Sequence, residues 1–253
     1  MPDADVSAAP GVAGPGRGLG PAAAPGIVTP DEEATPEAKP WWMARPRPQS
    51  ALVVSGRWLH DSPDQTALLK EAIGRSGIVH PYVTETWGDA TAESLDRYAL
   101  IVIAGHYDAV PDPLLLALRR YVESGRPLLG LHAANSCFTT PDYVDLIGSR
   151  FTRHDPIKEY TVQVDVAGHP LTAGLTPFRV VDELREGEFQ RHAIEVVASA
   201  EGHPVAYWKA LGRGRIVYIA LGHDRRSLAH PSYLRLVENA ISWLLSPSPP
   251  SPH

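Results

Sequence analysis

Eleven histidines are spread along this chain, and several stand where an apolar run stops. His132 closes Pro127–Leu131 and is followed by small and polar residues, Ala133, Ala134, Asn135 and Ser136. His223 follows Arg215–Leu221, His106 follows Ala99–Ala104, and His60, beside Asp61, follows Ala51–Gly56. His154 and the pair Asp182-Glu183 also fall where strands end or turns begin. A polar ring directly after a buried apolar strand serves packing poorly, so His132 and His223 are read as functional. His106 fits either a functional or a solvated role, whereas His80, His169, His192, His203 and His253 read as solvated loop residues. Three or more imidazoles with a carboxylate on one rim would suit a divalent metal such as zinc or manganese. The same groups could act as general acid and base near neutral pH with no metal at all.

Such groups need a frame that gathers them. Ala51–Gly56 reads as a first strand, and a helix follows with Ser62 as N-cap and Pro63 at its first position, running to about Arg75. Ile78–Val83 and Ala99–Ala104 are further strands, with a short helix end at Leu95–Tyr98 between them. Leu114, Leu115, Leu118, Tyr121 and Val122 fall at helical spacing, and Gly125 ends that helix. The Leu128–His132 strand comes next, then a helix from about Asn135 to Ile147 that Pro141 bends or interrupts. This β-α alternation implies a flavodoxin-like, mostly parallel sheet with helices on both faces. Ligands bind outside the carboxyl ends of such strands, which places His60, His106 and His132 on one rim. The second half changes character and adds strands: Tyr160–Val166, Phe178–Val181, Ile194–Ala198, Pro204–Lys209 and Arg215–Leu221, the last two joined by a hairpin turn at Leu211–Gly214. Pro231–Leu245 closes the domain as a helix.

Composition narrows the function. Residues 1–49 hold ten of the 25 prolines and almost no apolar periodicity, so they are expected to be a disordered Pro/Ala/Gly-rich tail, with Trp41 and Trp42 packing on the domain. Residues 50–246 suit one α/β domain, and 247–253 (PSPPSPH) a second tail. The first tail lacks a secretory pattern, no apolar run is long enough to span a membrane, and the net charge of −6 comes without a basic stripe. Neither a membrane nor a nucleic acid is therefore the expected partner. The single cysteine, Cys137, precludes an internal disulfide and fits a reducing, cytoplasmic setting. A homodimer is the expected assembly.

The ordered set GLHAANSCF (130–138), GSRFTRH (148–154), HPLTAGL (169–175), FRVVDEL (178–184), PVAYWKALGRGRIVYIALGHD (204–224) and a last helix ending ISWLL resembles the trehalose-utilisation, or ThuA-like, family across about Ala51 to Ser246. The resemblance implies a class I glutamine amidotransferase-like fold and a role in carbohydrate metabolism, around trehalose, related disaccharides or their 3-keto forms. It also implies a functional place for Glu183. In true amidotransferases of this superfold a cysteine occupies the strand-to-helix elbow; here Gly130-Leu131-His132-Ala133-Ala134 puts His132 there. An imidazole cannot form the glutamyl thioester, so glutaminase activity is not expected. Cys137, five residues on, reads as a small buried residue. Family members often carry an aromatic residue after the DEL motif, where this chain has Arg185, and its substrate preference is expected to differ accordingly.

The leading expectation is an enzyme that isomerises or eliminates on a sugar or keto-glycoside by removing a proton next to a carbonyl, with His132, Glu183 and His223 catalytic. His132, His154 and His223 are the expected metal ligands, and His60, Asp61, His106 and Asn135 the substrate contacts. No nucleotide cofactor is expected. A non-catalytic carbohydrate-binding or accessory protein is the alternative, since a fold does not fix a function; a hydrolase using Cys137 is a third.

Overall fold

The computed structural model describes residues 49–55, 63–88, 91–107, 112–138 and 140–247. Residues 1–48 and 248–253 of the expected tails, Trp41 and Trp42 among them, and the loop that holds His60 and Asp61 lie outside the described residues. Five parallel strands form one half of a nine-stranded sheet: β1 (Ser50–Val54), β2 (His80–Thr84), β3 (Leu100–Ile103), β4 (Leu128–Leu131) and, reached only at the end of the chain, β11 (Gly214–Ile219). Alternate residues of these strands face opposite ways, as the pleat requires. Val53, Val102, Leu129 and Val217 meet Leu69, Ala72 and Ile73 of α1 (Pro63–Gly74) and the buried stripe of α6 (Pro231–Leu245). Leu52, Ile101, Leu128 and Tyr218 pack instead with α3 (Asp112–Glu123) and α4 (Pro141–Ile147). Helices thus cover both faces, which is why these strands read as unbroken apolar runs.

The sheet continues antiparallel through β10 (His203–Leu211), β9 (Glu195–Ala200), β6 (Lys158–Val164) and β7 (Phe178–Asp182), giving the order β2-β1-β3-β4-β11-β10-β9-β6-β7. The flavodoxin-like half and the added strands of the second half are both present, and the expected hairpin turn is a two-residue one, with Leu211 opposite Gly214. Two pieces differ from the sequence reading. The expected helix over 135–147 is split: a 3-10 turn spans His132–Ser136, and α4 starts afresh at Pro141. Thr140 caps it by accepting from the Tyr143 N–H, and proline, which has no N–H to give, suits a first turn and not an interior. The short helix expected at 95–98 lies one turn earlier, as α2 (Ala92–Leu95), where Thr91 and Ser94 form a capping box.

A separate two-stranded ribbon, β5 (Ser149–His154) with β8 (Arg185–Phe189), has no counterpart in the sequence reading. Arg150, Arg153, Arg185, Glu186 and Glu188 interrupt it, so no apolar alternation announces it. Gly187 makes it possible: a Cβ there would sit 2.4 Å from the Arg150 carbonyl oxygen. Among the described residues no helix is long and apolar enough to cross a membrane.

Candidate functional site

The site begins with the register of two adjacent strands. Leu131 of β4 lies beside Ile219 of β11, so the residues that leave these strands emerge together at their carboxyl ends. His132 turns sharply there, at φ +43°, a left-handed conformation uncommon for a side-chain-bearing residue. Gly130 lets the elbow pack closely, since a Cβ would stand 2.8 Å from Ile147 Cδ1. The His132 carbonyl accepts from the Tyr218 hydroxyl at 2.8 Å, and its Nδ1 lies 3.0 Å from the Ala220 carbonyl oxygen. A carbonyl only accepts, so Nδ1 carries the proton and Nε2 keeps its lone pair. Burial, and next the positive charge of Arg185, hold His132 well below the usual histidine range, so it is neutral at pH 7.

His223 arrives from β11 through Gly222, whose φ of +114° only glycine adopts easily. Its partner is Glu183. Glu183 Oε1 lies 3.1 Å from His223 Nδ1 and 3.5 Å from His154 Nδ1; Oε2 lies 3.5 Å from both His132 Nε2 and Arg185 Nη1. Glu183 is 6% exposed, which rules out a surface ion pair as its role. Burial alone would raise its carboxyl, but His223, His154 and Arg185 outweigh that and hold it below the ordinary value. The hydrogen bond to Glu183 in turn raises His223. The ligand-capable atoms of His132, Glu183 and His223 all lie within 4.8 Å of one another.

Glu183 gets there from the far edge of the sheet. It follows β7, and the segment Asp182–Leu184 leaves that edge strand for the ribbon. Asp182 ties the crossing down: Oδ1 accepts from the N–H groups of Glu183 (2.8 Å) and His223 (3.2 Å), and Oδ2 from the Gly222 N–H (2.8 Å) and the Ser227 hydroxyl. One carboxylate therefore holds the backbone of both Glu183 and His223. Burial pushes Asp182 above the usual carboxylate range despite these donors. Tyr160 adds a bond from its hydroxyl to the Glu183 carbonyl, at 3.2 Å.

The remaining expected residues divide. His154, at the end of β5, adjoins Glu183 but stands outside the close cluster; its side chain is 43% exposed, and Nδ1 donates to the Asp155 carbonyl at 2.9 Å. The expected ligands His132 and His223 thus lie close together with Glu183, and the third, His154, adjoins that group at its margin. Asn135 is buried and turned inward: its Oδ1 accepts from Arg185 Nη2 at 3.1 Å, so it positions Arg185. His106 is half-buried on the loop after β3 and is not in the cluster. Cys137 is buried and its thiol is pushed far up by burial, which disfavours a nucleophilic role. The sequence reading missed the anchoring work of Asp182 and the inward place of Arg185. The Asp182-Glu183 pair was visible, but nothing in it marks which carboxylate binds backbone.

Comparison with known proteins agrees with this architecture. Residues 50–244 match the ThuA family, described as trehalose utilisation. No curated protein matches. A ThuA-like protein from Parabacteroides merdae superposes with a TM-score of 0.68 at 18% identity, covering 79% of this chain and 91% of that one. One from Bacteroides uniformis gives 0.65 at 20%, covering 79% and 93%. A protein from Salmonella typhimurium LT2 described as cytoplasmic gives 0.59 at 13%, covering 77% and 99%. At these identities the likeness is one of fold.

Proposed function

The chain belongs to the ThuA family, and from that premise we propose that it is an enzyme of carbohydrate metabolism, isomerising or eliminating on a sugar or keto-glycoside at a divalent metal held by His132, Glu183 and His223. The observation that carries this reading is the convergence of two imidazoles and one carboxylate, all buried, within 4.8 Å at the carboxyl ends of parallel strands. The donor chemistry fits zinc or manganese. His132 has an arrangement usual for a ligating imidazole, with Nδ1 pinned by a backbone carbonyl. When bound, such an ion supplies Lewis acidity for a substrate carbonyl. His132, Glu183 and His223 would hold it; Asp182 keeps the last two in register through their backbone. His154, with Nδ1 committed to a carbonyl and its ring half open to solvent, is placed to move a proton at the substrate carbon through Nε2. The neighbour described as cytoplasmic and the one buried free thiol support a cytoplasmic setting.

Elemental analysis of untagged protein beside a folded His132→Ala/His223→Ala variant tests this. We expect one ion per chain in the parent and none in the variant. We also expect the parent to exchange solvent deuterium into a keto-sugar next to its carbonyl, read by NMR. Absence of both, after loading with zinc and with manganese, would overturn the reading in favour of a carbohydrate-binding protein.

A further inference from the structure

Arg185 is a buried cation among the described residues of this site, and it shares its neighbouring carboxylate with three histidines. Its side chain is 5% exposed. The guanidinium lies over the Phe151 ring, 4.1 Å from the centroid, and Nη2 donates to Asn135 Oδ1 and Ser136 Oγ, each at 3.1 Å. These contacts are with neutral groups, and they fix the plane of the fork. Nε is buried and has no acceptor among the described residues. The carboxylate beside the guanidinium is Glu183, 3.5 Å from Nη1, and that carboxylate is shared with His132, His154 and His223. A buried guanidinium with part of one counter-charge is costly unless a further anion completes it. Nη1 lies beside Glu183 Oε2, so a ligand oxygen entering next to it comes within reach of the fork.

We propose that Arg185 makes this an acid-selective site: its ligand is a sugar-derived molecule that carries a carboxylate, a sugar acid and not a neutral sugar, and that carboxylate pairs with the Nη1 edge of Arg185. The fork is pre-oriented by Phe151, Asn135 and Ser136, so little rotamer freedom remains to be lost on binding, and arginine matches carboxylate geometry. The inference rests on the proposed reading only in taking the ligand to be sugar-derived; it does not need the ion.

The test is calorimetry on full-length, chelator-treated protein, so that no metal supplies the attraction. The probes are two pairs of equal carbon number, D-gluconate with D-sorbitol and D-glucuronate with D-glucose. At least one acid is expected to bind about tenfold or more tightly than its neutral partner. Arg185→Gln should abolish that preference, and Arg185→Lys, which keeps the charge without the fork, should fall between. Equal binding of acid and neutral partner, no binding of either acid, or a preference that survives Arg185→Gln would each overturn the proposal. If Arg185→Gln does not fold, the Arg185→Lys loss decides in its place. Metal content, measured on the untreated protein, keeps the two readings apart. An Arg185-dependent preference in a protein that takes up no ion leaves this inference standing and removes the metal. Metal uptake without acid preference does the reverse.

Discussion

The two halves of the sheet contribute to the site by different means. In the parallel half, His132 and His223 sit at the ends of adjacent strands that are buried along their whole length, with helices on both faces. Their places follow from the sheet itself and are supported by many packed side chains. The antiparallel half contributes Glu183 through a short crossing, held by the hydrogen bonds of Asp182 and by Tyr160. One half thus positions by register and packing, the other by a few point contacts. Damage to the first should cost the fold, and damage to the second should cost the site first.

Gly214 offers the strongest challenge to that contrast. A Cβ there would stand 2.1 Å from the Val122 carbonyl oxygen and 2.7 Å from that of Arg126, backbone atoms that cannot step aside. Gly214→Ala should lose about 3 kcal/mol or more in urea unfolding, since overpacking against backbone has no cheap relief. Asp182→Ala comes next. It strips a shared acceptor from buried donors, a loss of about 2 kcal/mol, yet bound metal should vanish altogether, because Glu183 and His223 lose their common anchor. A variant that keeps its metal would show that the crossing is held by something else.

The two histidines sharpen the comparison through pH, with metal removed. His132 has a lowered value, so its contribution to stability is present above the unfolded value of about 6.5 and is lost as pH falls below it. His223 has a raised value, so its contribution is fully present below about 6.5 and is lost as pH rises through the folded value. On acidification, the stability gap between parent and His223→Gln should widen while that between parent and His132→Gln narrows, as followed by chemical denaturation across pH. Gaps that move together would mean that Glu183 does not distinguish the two rings. The smallest effect is expected on the ribbon's outer edge. Arg150 pairs with Glu188 at 2.7 Å, but both side chains are largely exposed, so Arg150→Ala should change stability by about 0–1 kcal/mol and leave metal content unchanged.

The legibility of each part follows the same division. Buried parallel strands write themselves as short apolar runs closed by a polar residue, and that pattern marks both β4 with His132 and β11 with His223. Pro141 reads in the sequence as bending or interrupting one helix, whereas in the structure it begins a new one, capped by the Thr140 side chain bonded to the Tyr143 N–H. The β5–β8 ribbon was silent because charged residues line both its faces, leaving no period to detect. His154, Glu183 and Arg185 were visible as residues, but their places were not, as each is set by the ribbon or by long-range hydrogen bonds.

The sequence by itself determined the α/β class, the rim on which chemistry would sit, and the candidacy of His132 and His223, because each depends on residue type over a few neighbours. The meeting of Glu183 with both histidines, the inward turn of Arg185 and the anchor at Asp182 were decided by the tertiary structure alone. Asp182 and His223 are 41 residues apart and leave strands separated by β10, β9 and β6. A hydrogen bond across that span depends on how the whole sheet curls and where its last strand ends, and local pattern carries no record of either.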